Sequence, residues 1–229
     1  SKIIIFFDNV FFKFTKKRFR YYLQDALRLS SYSICLFEND EYKFFNPSNL
    51  TYWRSKTFLE KEPGTLRWIK NFNSLNSIFW DIGANVGLYT IFAVKNNPGI
   101  QVVSFEPSGL NLGLLEKNIY INNVQKNVKI FPIGLTNKSN SFLDMFESSE
   151  EEGGALGSLG VETGFDGKKI KTINKYKIFS TSINQLIKDK ILEVPNYVKI
   201  DVDGLEHLIL EEADEILNSD KLQEILIEI

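Results

Sequence analysis

Apolar side chains at Ile4, Phe7, Phe11 and Phe14 recur at helical spacing within residues 3–29. Lys13, Lys16, Lys17, Arg18 and Arg20 flank them, so the segment reads as a helix with a basic edge. Residues 33–46 predict two short strands around the turn-type cluster Glu38-Asn39-Asp40. Pro63 suits a first helical turn and opens a helix that runs through Trp68 to about Phe72. From residue 77 the pattern changes. Residues 77–82, 101–105 and 128–133 are compact apolar runs, and the stretches between them, 86–96 and 110–121, are helical. After an interruption over 139–180 the alternation resumes with helix 182–191, strand 197–202, helix 205–217 and strand 222–229. Strand–helix alternation of this kind predicts an α/β fold with a doubly wound, mostly parallel sheet. The interruption is acidic over 147–152, glycine-rich over 153–167 and alternating near 170–180, which suggests a small antiparallel insert. Residues 1–75 then form an N-terminal helix, hairpin and helix packing on the core, and residues 76–229 form the α/β domain.

Composition narrows the function classes. Of 229 residues 43% are hydrophobic, enough for a sizeable core and too many for wholesale disorder. No apolar run approaches the ~18–20 residues that span a bilayer, and no secretory leader pattern is visible. Cys35 is the single cysteine and His207 the single histidine, which excludes an internal disulfide and a Cys/His zinc cluster. A lone cysteine fits a reducing, cytoplasmic compartment. The net charge of −2 argues against a general nucleic-acid binder. Residues 1–22 nevertheless carry +5 and residues 201–229 carry −9. Eight aromatic residues in the basic first 22 favour packing on the domain or on a partner copy, ahead of contact with a membrane surface. The chain does not begin with Met and stops inside a strand-like run, as a fragment would.

Candidate chemistry concentrates at three strand ends. Asp81-Ile82-Gly83-Ala84-Asn85-Val86-Gly87 is a strand-to-helix turn whose glycines admit a ligand close to the backbone. Its spacing is not that of dinucleotide sites, no Lys-Ser/Thr follows, and Asp81 would repel a pyrophosphate. A carboxylate there suits a ligand with positive charge. Glu106 ends the next strand, 25 residues after Asp81, where an acid can accept hydrogen bonds from ribose hydroxyls. Asp201, Asp203, Glu206 and His207 crowd the end of the fourth strand. Helix capping would explain Glu206 or Asp203, but not Asp201 among apolar strand residues. The glycine-rich stretch from Gly153 through Leu156 to Gly160 reads as a lid or a solvated loop.

Three segments together resemble the FkbM family of S-adenosylmethionine-dependent methyltransferases. They are Phe79-Trp80-Asp81-Ile82-Gly83-Ala84-Asn85-Val86-Gly87-Leu88-Tyr89-Thr90, then Phe105-Glu106-Pro107, then Val198-Lys199-Ile200-Asp201-Val202-Asp203-Gly204-Leu205-Glu206. Thr181-Ser182-Ile183 is similar as well, and the resemblance covers about residues 77–229. It implies a Rossmann-like class I methyltransferase fold and O-methylation of a hydroxyl on a sugar, glycan or secondary metabolite. It further implies that Asp81 and the turn at Gly83, Ala84, Asn85 and Gly87 hold the methionine part of S-adenosyl-L-methionine. Glu106, with Pro107 beside it, would bind the ribose, Gly134 and Leu135 would border the adenine, and Asp201 would lie near the reacting centre. Two departures stand out: the chain stops before the antiparallel hairpin that usually ends such sheets, and no acid follows the third strand to meet the adenine amino group.

A hydroxyl acceptor gains from a base, for which Asp201, Asp203, Glu206 and His207 are the candidates. Alternatively, some of these carboxylates hold a divalent cation that acidifies the hydroxyl. A nicotinamide-dependent oxidoreductase and a non-catalytic nucleoside-binding module remain open as other readings.

Overall fold

The structure, a computed structural model, describes residues 2–73, 75–155, 157–164 and 167–228. Leu156 in the glycine-rich stretch and Ile229 at the end of the last expected strand lie outside them. The chain opens with helices α1 (Lys2–Thr15) and α2 (Phe19–Ser30), followed by the hairpin β1 (Tyr32–Phe37) and β2 (Asp40–Phe45). Helices α3 (Asn49–Lys61) and α4 (Pro63–Lys70) lead into β3 (Ile78–Ile82), α5 (Leu88–Asn96), β4 (Gln101–Phe105), α6 (Gly109–Ile121) and β5 (Val128–Phe131). An insert contributes β6 (Gly134–Leu135), β7 (Ser141–Glu147), β8 (Ser158–Leu159) and β9 (Asn174–Thr181). Then come α7 (Ile183–Lys188), β10 (Tyr197–Ile200), α8 (Glu206–Leu210), α9 (Asp214–Leu217) and β11 (Glu224–Ile227).

The central sheet has the order β11-β10-β3-β4-β5 with every pairing parallel. The chain starts this sheet in the middle at β3, winds outward to β5, and returns to β10 on the other side. The reversal opens a crevice beyond the carboxyl ends of β3 and β10, where ligands of open α/β sheets bind.

Side chains along these strands alternate between two buried layers. Trp80, Ile82, Val198 and Ile200 face Ile183, Leu186 and Ile209. Phe79 and Tyr197 face the opposite layer with Ile91, Phe92 and Leu115, which also takes in Tyr42, Phe44, Phe58 and Ile69 from the N-terminal region. The hairpin and α4 therefore share a core with the α/β sheet. Asn118 of α6 and Asn122, which caps it, fasten the edge of β2, accepting from the backbone N–H of Phe45 at 2.8 Å and of Lys43 at 3.0 Å.

Several elements differ from the sequence reading. Residues 3–29 form two helices, because the chain turns at Lys16 with φ 59° and the buried Asp8 draws Arg18 and Arg20 back onto α1. Helix α3 lies where no element was expected, capped by a reciprocal pair of hydrogen bonds between Ser48 and Thr51. Helix 205–217 is broken into α8 and α9, where Asn184 accepts from Glu215 N at 2.8 Å and its own N–H bonds Glu212 O. Strand 128–133 stops at Phe131, and residues 134–135 join the insert, a sheet of order β6-β9-β7-β8 in which only β6 and β9 run parallel.

Candidate active site

The crevice deepens into a cavity walled by the ends of β3, β4 and β10, by α3, and by the insert. Its floor is the turn after β3. Gly83 has φ +82°, and a Cβ there would run into the carbonyl oxygen of Asp201, so only glycine passes. The N–H groups of Gly83 and Ala84 both donate to Phe105 O at 3.0 Å, tying the turn to β4. Asn85 presents a buried Oδ1 with no hydrogen-bond partner among the described residues.

Glu106 sits at one end, 5% exposed, with Oε2 accepting from Asn85 N at 2.7 Å and Oε1 from Ser108 N at 2.8 Å. Burial pushes its carboxyl up to about 7, against the pull of these backbone donors. Ile133, Leu135, Met145 and Leu159 supply apolar wall beside it.

The other end is rich in carboxylates. Asp201, Asp203, Glu62 and Glu228 all line it, with Tyr89 and Lys61. Behind Asp201 lies Lys199, 1% exposed, its Nζ 2.6 Å from Asp201 Oδ2, 3.4 Å from Glu228 Oε2 and 4.7 Å from the Tyr89 ring centre. Burial works against this ammonium, but the charges of Asp201 and Asp81 outweigh it and raise its pKa. Burial and the adjacent Asp201 charge push Glu228 up to about 7, and burial with Asp201 and Glu206 pushes Asp203 up to about 6. Tyr89 Oη donates to Glu62 Oε2 at 2.5 Å.

Of the sequence candidates, Gly83, Ala84, Asn85, Glu106, Pro107, Gly134, Leu135, Asp201 and Asp203 line the cavity. Four do not. Asp81 falls on the helix-facing side of β3, fully buried, with Oδ2 accepting from Thr90 Oγ1 at 2.6 Å and in register with Lys199. Burial raises its carboxyl. It therefore sits behind the wall, facing a cation of the protein's own. Gly87, with φ +86°, is the N-cap of α5 and packs against Leu115. Glu206 accepts from the N–H groups of Val202 at 3.2 Å and Gly204 at 3.1 Å, so it holds the loop. His207 is exposed on α8.

Sequence reasoning missed Lys199, Glu62, Tyr89, Glu228 and Glu147 as wall or support residues. For Lys199 a signal existed: a charge inside the otherwise apolar run Val198–Ile200 demands buried partners. Among the described residues no group of three or more His, Cys, Asp or Glu is arranged to hold a metal ion. Of the carboxylates considered for a cation, Asp201 is paired with the Lys199 ammonium and Glu206 with loop N–H groups.

The profile of the Methyltransferase FkbM domain matches residues 81–229. The chain belongs to the FkbM methyltransferase family. Methyltransferase sdnD of Sordaria araneosa is 26% identical over 159 residues, and the match spans 61% of this chain and 61% of that protein's length. Among solved structures, a precorrin-6y C5,15-methyltransferase of Geobacter metallireducens aligns over 73% of this chain and 61% of its own, at 16% identity and TM-score 0.41. TYW2 of Pyrococcus horikoshii, solved in complex with MeSAdo, aligns over 47% of this chain and 39% of its own, at 14% identity and TM-score 0.33. The five-stranded order described above is that of a class I methyltransferase. Membership of this family speaks for the methyltransferase reading over the nicotinamide-dependent oxidoreductase.

An FkbM methyltransferase implies S-adenosylmethionine, and the residues fit it. A buried carboxylate ends β4, an apolar slot lies beside it, the turn leaves no room for a Cβ, and the orphaned Asn85 Oδ1 awaits a donor.

Proposed function

We propose that the chain uses S-adenosylmethionine to methylate a hydroxyl of an uncharged acceptor such as a sugar, glycan or secondary metabolite. The observation that carries this reading is the set of carboxyl groups beyond β10 and β11 that take up protons near neutrality: Asp203 at about 6 and Glu228 at about 7. A hydroxyl must lose its proton on methylation, and a base whose pKa lies close to the working pH serves that step best. When bound, the cofactor supplies an electrophilic methyl group.

The chain's own residues do the rest. Lys199 fixes the Asp201 carboxylate from behind at 2.6 Å and leaves its other oxygen for the acceptor. Asp203 and Glu228 hold the departing proton. Helix α3 and the insert wall the cavity and narrow its contact with bulk water, which strengthens the charge interactions within it. An acidic acceptor end disfavours phosphorylated or polyanionic acceptors, nucleic acid included.

Isotopic transfer from methyl-labelled cofactor to a panel of hydroxylated acceptors tests this. Labelled methyl ether is expected, reduced about 10²–10⁴-fold in Asp201→Ala. Label appearing only on nitrogen or carbon, or an undiminished rate in Asp201→Ala, would sink the reading.

A further inference from the structure

We propose that Glu147, carried by the insert, reads the base of the bound nucleoside by accepting a hydrogen bond from the exocyclic amino group of adenine. The proposal rests on the reading that the cavity takes S-adenosylmethionine.

After β5 the chain runs Pro132-Ile133-Gly134-Leu135-Thr136-Asn137-Lys138, with no acid to meet an amino group. The insert brings one from a distance. Strand β7 pairs antiparallel with β9, β9 pairs with β6, and the far end of β7 returns Glu147 to the cavity wall. The residue is 6% exposed, so its carboxylate has left most of its water behind. Tyr176 Oη donates to Oε1 at 2.7 Å and itself accepts from Gly109 N, the first residue of α6, at 2.8 Å. One oxygen is therefore pinned to the same helix start that holds Glu106 through Ser108. The other, Oε2, takes no hydrogen bond from any described residue. Gly157 lies beside it, where a Cβ would meet the Met145 side chain at 2.8 Å and stand 3.4 Å from Oε2. No donor among the described residues competes for this oxygen, and a ligand N–H that replaces water on it makes a hydrogen bond to a charged acceptor, one of the stronger kinds.

The surroundings suit a flat heterocycle. Ile133, Leu135, Met145 and Leu159 line the same part of the cavity, and Gly134 cannot carry a Cβ without meeting the Leu159 side chain. An adenine nucleoside offers donors of two kinds, ribose hydroxyls and one amino group. The two buried carboxylates here divide them, Glu106 at the β4 end for the ribose and Glu147 at the β7 end for the base. Replacing the amino group by a carbonyl would set acceptor against acceptor, so Glu147 determines base specificity.

Calorimetry on the full chain with S-adenosylhomocysteine and S-inosylhomocysteine tests this without turnover. The native chain is expected to bind the adenosyl compound at least about tenfold more tightly, since hydrogen bonds to charged groups discriminate by that much or more. Glu147→Gln can donate to the inosyl carbonyl and should narrow the preference to less than about threefold. Glu147→Asp keeps the charge but retracts it by one methylene; it should lose the preference too, and it carries the test if the amide variant fails to fold. An unchanged preference in either folded variant, or an equal weakening of both compounds, overturns the assignment. Failure of the native chain to bind either compound overturns it together with the cofactor reading, and that outcome is recognisably different from binding without preference.

Discussion

Glu106 is the residue whose environment says most about its ligand. Its folded pKa, about 7, lies well above the ordinary carboxylate range because burial outweighs two backbone donors. A carboxyl with a raised folded pKa stabilises the fold below its unfolded pKa, and that contribution fades as pH climbs toward 7. Ligand hydroxyls that donate to it favour the ionised form and pull the pKa back down. Binding of S-adenosylhomocysteine should therefore release a proton at about pH 6, and affinity should rise with pH up to about 7 and then level off. Calorimetry in buffers of different ionisation enthalpy reads the proton directly. No proton release from the native chain, or the same release from Glu106→Gln, would mean that this carboxyl does not receive the ribose. Asp81 teaches the complementary lesson. As an acid beside a glycine turn it reads as a greeting for a cationic ligand, and its cation is Lys199, one strand away. A strand covered by helices on both faces alternates its side chains between layers, so an acid one residue from the end of β3 points behind the wall while the backbone ahead of it forms the floor.

At the scale of elements, the glycine-bearing turn and the parallel strands were legible because each announces itself locally, through spacing and compact apolar runs. Helix α3 was not. Its Trp53, Arg54, Lys61 and Glu62 look outward from the core toward the cavity, so no regular apolar stripe marks it. Glu206 and His207 were placed with Asp201 because they are neighbours in sequence, yet the turn at Gly204 directs one into the loop and the other to solvent. Glu147 and Glu228 carry no local signal at all; a long insert and the final strand deliver them. The covering stretch of the insert is bolted at three places. Arg54 Nε donates to Gly153 O at 2.5 Å, Asn111 Oδ1 accepts from Gly153 N at 2.8 Å, and Asn85 and Asn111 Nδ2 donate to Gly154 O at 2.9 and 3.0 Å. Only the first bolt comes from outside the family-matched region. Arg54→Ala should raise amide hydrogen exchange at Gly153 and Gly154 by about tenfold while β3 and α5 keep their protection, because local opening is set by local contacts. Unchanged exchange would make this arginine a bystander.

At the scale of the whole molecule, the parts are unequally joined. Residues of the β1–β2 hairpin and of α3 and α4 enter the apolar core under the sheet, while among the described residues none from α1 or α2 enters any core cluster or the cavity wall. The aromatic, basic N-terminus was expected to pack on the domain or a partner copy. Within the single chain α1 and α2 pack on each other around Asp8, leaving Ile3 72%, Phe6 64% and Phe14 83% exposed. Contiguous apolar surface of that extent marks contact sites in folded proteins generally, and here it contributes nothing visible to the fold that carries the site. Deletion of residues 1–30 should therefore shift the unfolding free energy of the remainder by less than about 1 kcal/mol in urea. It should also leave affinity for S-adenosylhomocysteine within about twofold of the native value, since substitutions remote from a site add little to it. A larger loss on either measure would show that α1 and α2 support the domain through contacts that lie outside its core clusters.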